Sequence, residues 1–159
     1  MPKQVYRDHE PPLKLPPVKN ISDEQIANFS ADDQGHAEAV FNLYGPYIAF
    51  NNAYGWMVWN GTHYSPSVQR INTLIVDVLR RRLRAAAHLE RTDLAKKSKA
   101  MAGTVAATRS LLENLCYVEV DEFDAEPDLI NTLSGIVNLK TKKLLPHDMR
   151  YRFTWCSPV

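Results

Sequence analysis

The chain has 159 residues, 45% hydrophobic and 23% charged, a composition that fits one globular domain able to bury a core without disulfide or metal staples. No apolar run approaches the roughly 20 residues of a membrane span, and Cys116 and Cys156 match no metal-ligand spacing and read as reduced intracellular thiols. The formal net charge of +1 excludes little, but residues 79–109 hold nine bases against two acids, and residues 119–128 hold six acids and no base.

In chain order, residues 1–29 open with "MPKQVYRDHEPPLKLPPVKN", Pro-rich, mixed in charge and unlike a signal peptide. They are read as a flexible extended linker before a folded unit over residues 30–155. Ser30 or Asp32 is expected to cap a helix reaching about Tyr44, with Ala37, Val40, Phe41 and Tyr44 inward and His36 on the polar side. Gly45-Pro46 stops it. "YIAFNNAYG", residues 47–55, reads as a short strand and a turn. In "WMVWNGTHYSP", residues 56–66, Asn60-Gly61 predicts a two-residue type I′ turn, whose two positions both need positive φ. That turn pairs Trp59 with Thr62, Val58 with His63 and Met57 with Tyr64. Met57, Trp59, Thr62 and Tyr64 then share one face, and Trp56, Val58 and His63 the other. The tryptophans are either sheet core or a platform for stacking bases. Aromatics on both faces favour the core, with Trp59 buried in it.

Ser65-Pro66-Ser67 opens a long amphipathic helix with Ile71, Leu74, Ile75, Val78 and Leu79 at helical spacing. Thr92-Asp93 caps a further helical segment, and another runs to about Leu115 with Met101, Val105, Leu112 and Leu115 on one stripe. Pro127 marks a break or a helix start beside the acidic loop. "GIVNLKTKKLLPHD", residues 135–148, reads as two short strands joined by a lysine-rich turn. The expected fold class is therefore α+β, mainly helical, with a small antiparallel meander at about 47–65 and a second hairpin at about 135–146.

Catalytic signatures are missing. No G-x-x-x-x-G-K-[ST] occurs, and Lys97-Ser98 follows "TDLAK", which has no glycine to bring amides round a phosphate. G-x-S-x-G, H-E-x-x-H and C-x-x-C are also missing. The histidines at 9, 36, 63, 88 and 147 never stand at i, i+4, so no metal site is expected. Asp32-Asp33 reads as helix capping and Asp121-Glu122 as a solvated loop. The sharpest polar feature is the basic series Arg80, Arg81, Arg82, Arg84, Arg91, Lys96, Lys97 and Lys99. At 100° per residue Arg80, Arg84 and Arg91 lie near one side of a helix, while Arg81 and Arg82 spread around it. Such a surface contacts phosphates, pairs with the acidic loop of a neighbouring subunit, or is merely solvated.

Four segments, in order, carry a resemblance. "SADDQGHAEAVFNLYG", residues 30–45, is similar to the acidic-x-Gly-x-Ala helix of the N-terminal-like domain that precedes superfamily 3 helicases in phage, plasmid and poxvirus-type primase–helicases. "WMVWNGTHY" resembles that family's W-x-V-W-[DN]-G-x-x-[WY] hairpin, and "FDAEPDLIN", residues 123–131, its F-D-x-[DE]-P-x-L-[LI]-N segment. "SGIVNLKTKKLLPHD" resembles its N-G-x-x-D-L-x-T-G-x-L-x-P-H-D hairpin, with Ser134 and Asn138 replacing the common Asn and Asp, and Lys142 the turn glycine. The resemblance implies a collar or linker between a primase module and a ring-forming motor, with no catalytic residue and no cofactor in this segment. ATP and magnesium belong to the parent's ATPase, which in the family begins after the position where this sequence stops. DNA, single-stranded or forked, the parent's own primase and helicase domains and further copies of the chain are the implied partners, with no membrane. The implied location is the cytoplasm of a bacterial host, the gene being carried by a phage or mobile element.

Overall fold

The computed structural model describes residues 20–159. Its first helix, α1 (Asp23–Ala27), starts inside the segment expected to be linker. Ser22 Oγ accepts from the Gln25 amide at 3.2 Å while Gln25 Oε1 accepts from the Ser22 amide at 2.9 Å, a reciprocal box that satisfies two orphan donors. Ile26 and Ala27 are buried, so packed structure begins before residue 30. The rest of the expected linker, residues 1–19, lies outside the described residues.

Four further helices follow: α2 (Asp33–Tyr44), α3 (Val68–His88), α4 (Thr92–Lys97) and α5 (Ala102–Leu115). Asp32 caps α2 by accepting from the Gly35 amide at 2.8 Å. Because α2 packs against both α3 and α5, its buried arc is wide, taking in His36, Ala37, Ala39, Val40, Leu43 and Tyr44. Phe41 falls outside that arc and is 42% exposed, against expectation, and His36 is fully buried rather than on a polar side. On α3 the five expected core positions, Ile71, Leu74, Ile75, Val78 and Leu79, are all buried. Met101 does not join the α5 stripe: it precedes the helix and is 63% exposed, while Leu112 is buried and Val105 and Leu115 pack partly buried on the core.

The end of α3 carried no sequence signal. Glu90 takes φ 55°, the Arg91 amide donates to the Ala86 carbonyl at 2.8 Å and the Glu90 amide to Ala87 at 3.4 Å, a closure usually built on glycine. Arg91 therefore leaves the helix and occupies the cap position of α4.

The first sheet runs in the order β1 (Ile48–Asn51), β2 (Gly55–Trp59), β3 (Tyr64–Pro66), all antiparallel. Its hairpin corrects the expected turn. Trp59 pairs with Tyr64, Val58 with Ser65 and Met57 with Pro66, so four residues form the loop. Asn60 Oδ1 accepts from the amides of Thr62 and His63, each at 3.0 Å, and this side-chain turn draws Thr62 and His63 out of the ladder. Gly61 sits at φ +105°, where a Cβ would be strained. A two-residue slip preserves parity, so Met57, Trp59 and Tyr64 still share a face. Trp56 and Val58 enter the main helical core; Ala49, Met57 and Tyr64 form a second cluster with Val118 and Phe123. Trp56 is the buried tryptophan, at 5% exposure. Trp59 is only half-buried at the edge of the second cluster, in an edge-to-face pair with the Tyr64 ring 5.5 Å away.

The second sheet has three strands rather than a lone hairpin: β4 (Leu129–Thr132), β5 (Gly135–Asn138) and β6 (Lys143–Leu145). Pro127 thus precedes a strand, not a helix. Asn138 Oδ1 accepts from the amides of Lys140 and Thr141, each at 3.0 Å, a task an Asp carboxylate oxygen performs equally well. Lys142 holds φ 56°, so the turn keeps the left-handed geometry a glycine would favour. Asn131, fully buried, donates to the carbonyls of Thr62 at 2.9 Å and Trp155 at 2.8 Å and ties the two sheets together. The two small sheets and five helices among the described residues make the fold α+β.

Candidate nucleic-acid interface

The eight basic residues separate into three environments. Arg82 is fully buried. Its Nη2 donates to the carbonyls of Phe29 at 2.7 Å and Ser30 at 2.8 Å, and its Nη1 lies 2.8 Å from His36 Nδ1. Burial pulls the guanidinium down to about 10, which still leaves it charged at neutral pH. It cannot reach a phosphate and does not belong to a DNA surface. The signal was in the sequence: Arg82 continues the inward stripe of Val78 and Leu79 and is followed on it by Ala85 and Ala86.

Arg82 accounts for the residues of the "SADDQGHA" stretch. A guanidinium only donates and a carbonyl only accepts, so His36 must accept at Nδ1 and donate from Nε2 to the Lys97 carbonyl, 2.9 Å away. Burial and the facing Arg82 charge both hold His36 below the usual histidine range, consistent with a neutral ring. Gly35 lets α2 approach the same loop, since a Cβ there would lie 1.9 Å from the Ser30 carbonyl oxygen. Ser30 and Gly35 also both donate to Asp32 Oδ1. "SADDQGHA" is therefore a socket for one buried arginine.

Arg81 and Arg91 are neutralised locally. Arg81 Nε lies 2.8 Å from Asp77 Oδ2 without the alignment of a hydrogen bond, so the two form a charge pair, and Tyr44 Oη donates to the same oxygen at 2.8 Å. Arg91 grips Asp93 with two donors, at 2.9 and 2.7 Å, and is displaced from the side of α3 that carries Arg80 and Arg84.

Arg80, Arg84, Lys96, Lys97 and Lys99 are exposed, and none has an ion-pair partner among the described residues. Arg80 and Arg84 stand one turn apart on α3; the lysines cluster at the end of α4, which packs on α3. Like charges at that spacing repel by a few tenths of a kcal/mol unless an anion relieves them. Three other cations are paired: Arg150 with Asp148, Arg152 with Glu122 and Lys140 with Asp128. Lys142 and Lys143, on the second sheet's turn, are the other exposed lysines without a pair among the described residues.

The acidic loop spends much of its charge internally. Besides Glu122 and Asp128, Asp124 accepts from the Thr154 amide at 2.9 Å and from its hydroxyl. Among the described residues no group of three His, Cys, Asp or Glu side chains could hold a metal, and no helix is long and apolar enough to cross a membrane. A groove of about 690 Å³ lies between α2 and the end of α5, lined by Phe41 and Tyr117; Arg152, its cationic wall, is already paired. Cys116, also in its lining, is buried with its thiol pushed up to about 12, which makes it inert.

No curated protein matches the chain. Residues 37–159, more than three quarters of the sequence, match the family described as D5 N terminal like. The chain belongs to that family, the N-terminal domain of D5-like primase–helicase proteins.

Proposed function

We propose that this domain handles DNA without catalysing a reaction, as an assembly and guiding element of a phage- or plasmid-type replicative primase–helicase. The single observation that supports this reading is the contrast in cation pairing. Arg80, Arg84, Lys96, Lys97 and Lys99 are left exposed and unpaired while Arg81, Arg91, Lys140, Arg150 and Arg152 have acidic partners. A phosphate backbone relieves such crowding by releasing counterions, with little regard to base sequence. In this reading the parent hydrolyses ATP with magnesium in a separate motor, the domain itself holds no nucleotide, and copies assemble around DNA in the host cytoplasm. The half-buried Trp59 and buried Trp56 serve the sheets, not base stacking.

The test is fluorescence anisotropy on labelled single-stranded and forked DNA across a salt series, with Arg80→Glu/Arg84→Glu as the variant. Expected are weak sequence dependence, lower affinity for the variant, and a log–log salt slope smaller by roughly 0.7–0.9 for each phosphate no longer neutralised. Unchanged affinity in a folded variant, or no binding by the parent chain at low salt, would replace this reading with a pure protein-docking module.

A further inference from the structure

Lys97 has two parts to play at the proposed DNA face. Its side chain is one of the unpaired cations, and its carbonyl ends the buried chain that runs from Arg82 through His36. We infer that His36 is a positioning residue for this face: by holding the Lys97 carbonyl it fixes the last turn of α4 and the direction in which Lys96, Lys97 and Lys99 present charge. This inference rests on the DNA-handling reading above.

The need for such a fastening follows from α4 itself. It has six residues, no side-chain cap at its N-terminus, and only Leu94 buried within it. A helix that short has no stability of its own, and its last carbonyls have no intrahelical donors. Ser98, just beyond, is buried, so the chain enters the core here and must be held at the crossing. His36 supplies the donor from α2, 61 residues away in sequence, and Arg82 fixes the ring by occupying its other nitrogen. The imidazole can serve both neighbours only as the neutral Nε2–H tautomer. Two of the lysines precede the fastened carbonyl or carry it, and Lys99 follows two residues on, so loosening it releases all three.

Two substitutions separate positioning from general stability, because Asn offers an acceptor near the Nδ1 position and Gln a donor near the Nε2 position. His36→Asn keeps the hydrogen bond from Arg82 and gives up the one to Lys97. Amide exchange over residues 94–100 should then accelerate about tenfold or more, and the magnitude of the DNA salt slope should fall by roughly 1–2. His36→Gln keeps the hydrogen bond to Lys97 and gives up the one from Arg82, so it should melt lower yet retain the parent's slope and α4 protection. Nitrogen NMR of the parent imidazole, which needs no variant to fold, should show Nε2 protonated and Nδ1 bare at neutral pH. Parent-like exchange and slope in His36→Asn, slopes that merely follow melting temperature in both variants, or an Nδ1–H ring would overturn the inference. A parent chain that binds no DNA removes the functional part, and the exchange pattern then shows separately whether His36 fastens α4.

Discussion

Truncating Arg82 to alanine removes three charge-assisted donors at 2.7–2.8 Å and strands the acceptors they served, the Phe29 and Ser30 carbonyls and His36 Nδ1. Each buried acceptor left without a donor costs about 1–3 kcal/mol, and the losses overlap because all three meet one guanidinium. Breaking a buried charged network at one partner typically costs ~3–5 kcal/mol, and that is the expected loss here. For a folded unit of this size each kcal/mol lowers the melting temperature by roughly 3–4 °C, giving a fall of about 10–20 °C. Urea unfolding of Arg82→Ala beside Arg84→Ala measures it, the latter being an exposed arginine expected to stay within about 0.5 kcal/mol of the parent. DNA anisotropy at a temperature where both are folded completes the comparison. An Arg82→Ala chain as stable as the parent but deficient in DNA binding would refute the structural role assigned to this arginine.

Gly35→Ala should destabilise strongly, by about 2–4 kcal/mol or enough to prevent folding, because the new Cβ meets backbone that cannot yield; near-parent melting would contradict the close approach. His36 is held below the ordinary histidine value of 6.5, so the unfolded chain binds the extra proton first as pH falls. Its contribution is complete above about 6.5 and declines towards its lowered folded value, and a stability-versus-pH series should show a steeper acid-side loss for the parent than for His36→Gln. His88 has the opposite sign, since the Asp23 carboxylate raises it: its small contribution is present below 6.5 and fades as pH rises, which His88→Gln should abolish. Glu90→Gly, at φ 55°, should stabilise by up to about 1 kcal/mol as left-handed strain is relieved; a loss of stability in urea would show that the strain is not there.

The helical faces were legible because Ile71, Leu74, Ile75, Val78 and Leu79 repeat with the helical period, and burying them fixes how α3 lies. The strands around Asn60-Gly61 were legible too, but not their register. The turn dipeptide fits a two-residue loop, whereas the Asn60 side chain takes the Thr62 and His63 amides and Asn131 holds the Thr62 carbonyl, and the loop has four residues. α1 was missed although Ser22 and Gln25 carry a capping-box spacing, because the Pro-rich composition before it dominates the reading. β4 was missed because its apolar run, Leu129-Ile130, is too short to show alternation, and its anchoring comes from buried Asn131. In the candidate interface, charge density alone could not tell Arg82 from Arg84. Position on the apolar stripe does tell them apart, and the same period places His36 with Val40, Leu43 and Tyr44.

The most direct measurement is amide NMR of the isotope-labelled chain titrated with a short single-stranded or forked oligonucleotide at low salt. Shifts concentrated at Arg80, Arg84 and residues 96–99, reversed by added salt and weak at Lys142 and Lys143, are the predicted result. Shifts confined to the second sheet or the Trp59 hairpin, or none at all, would contradict the assignment of the α3–α4 cations as the DNA-handling face.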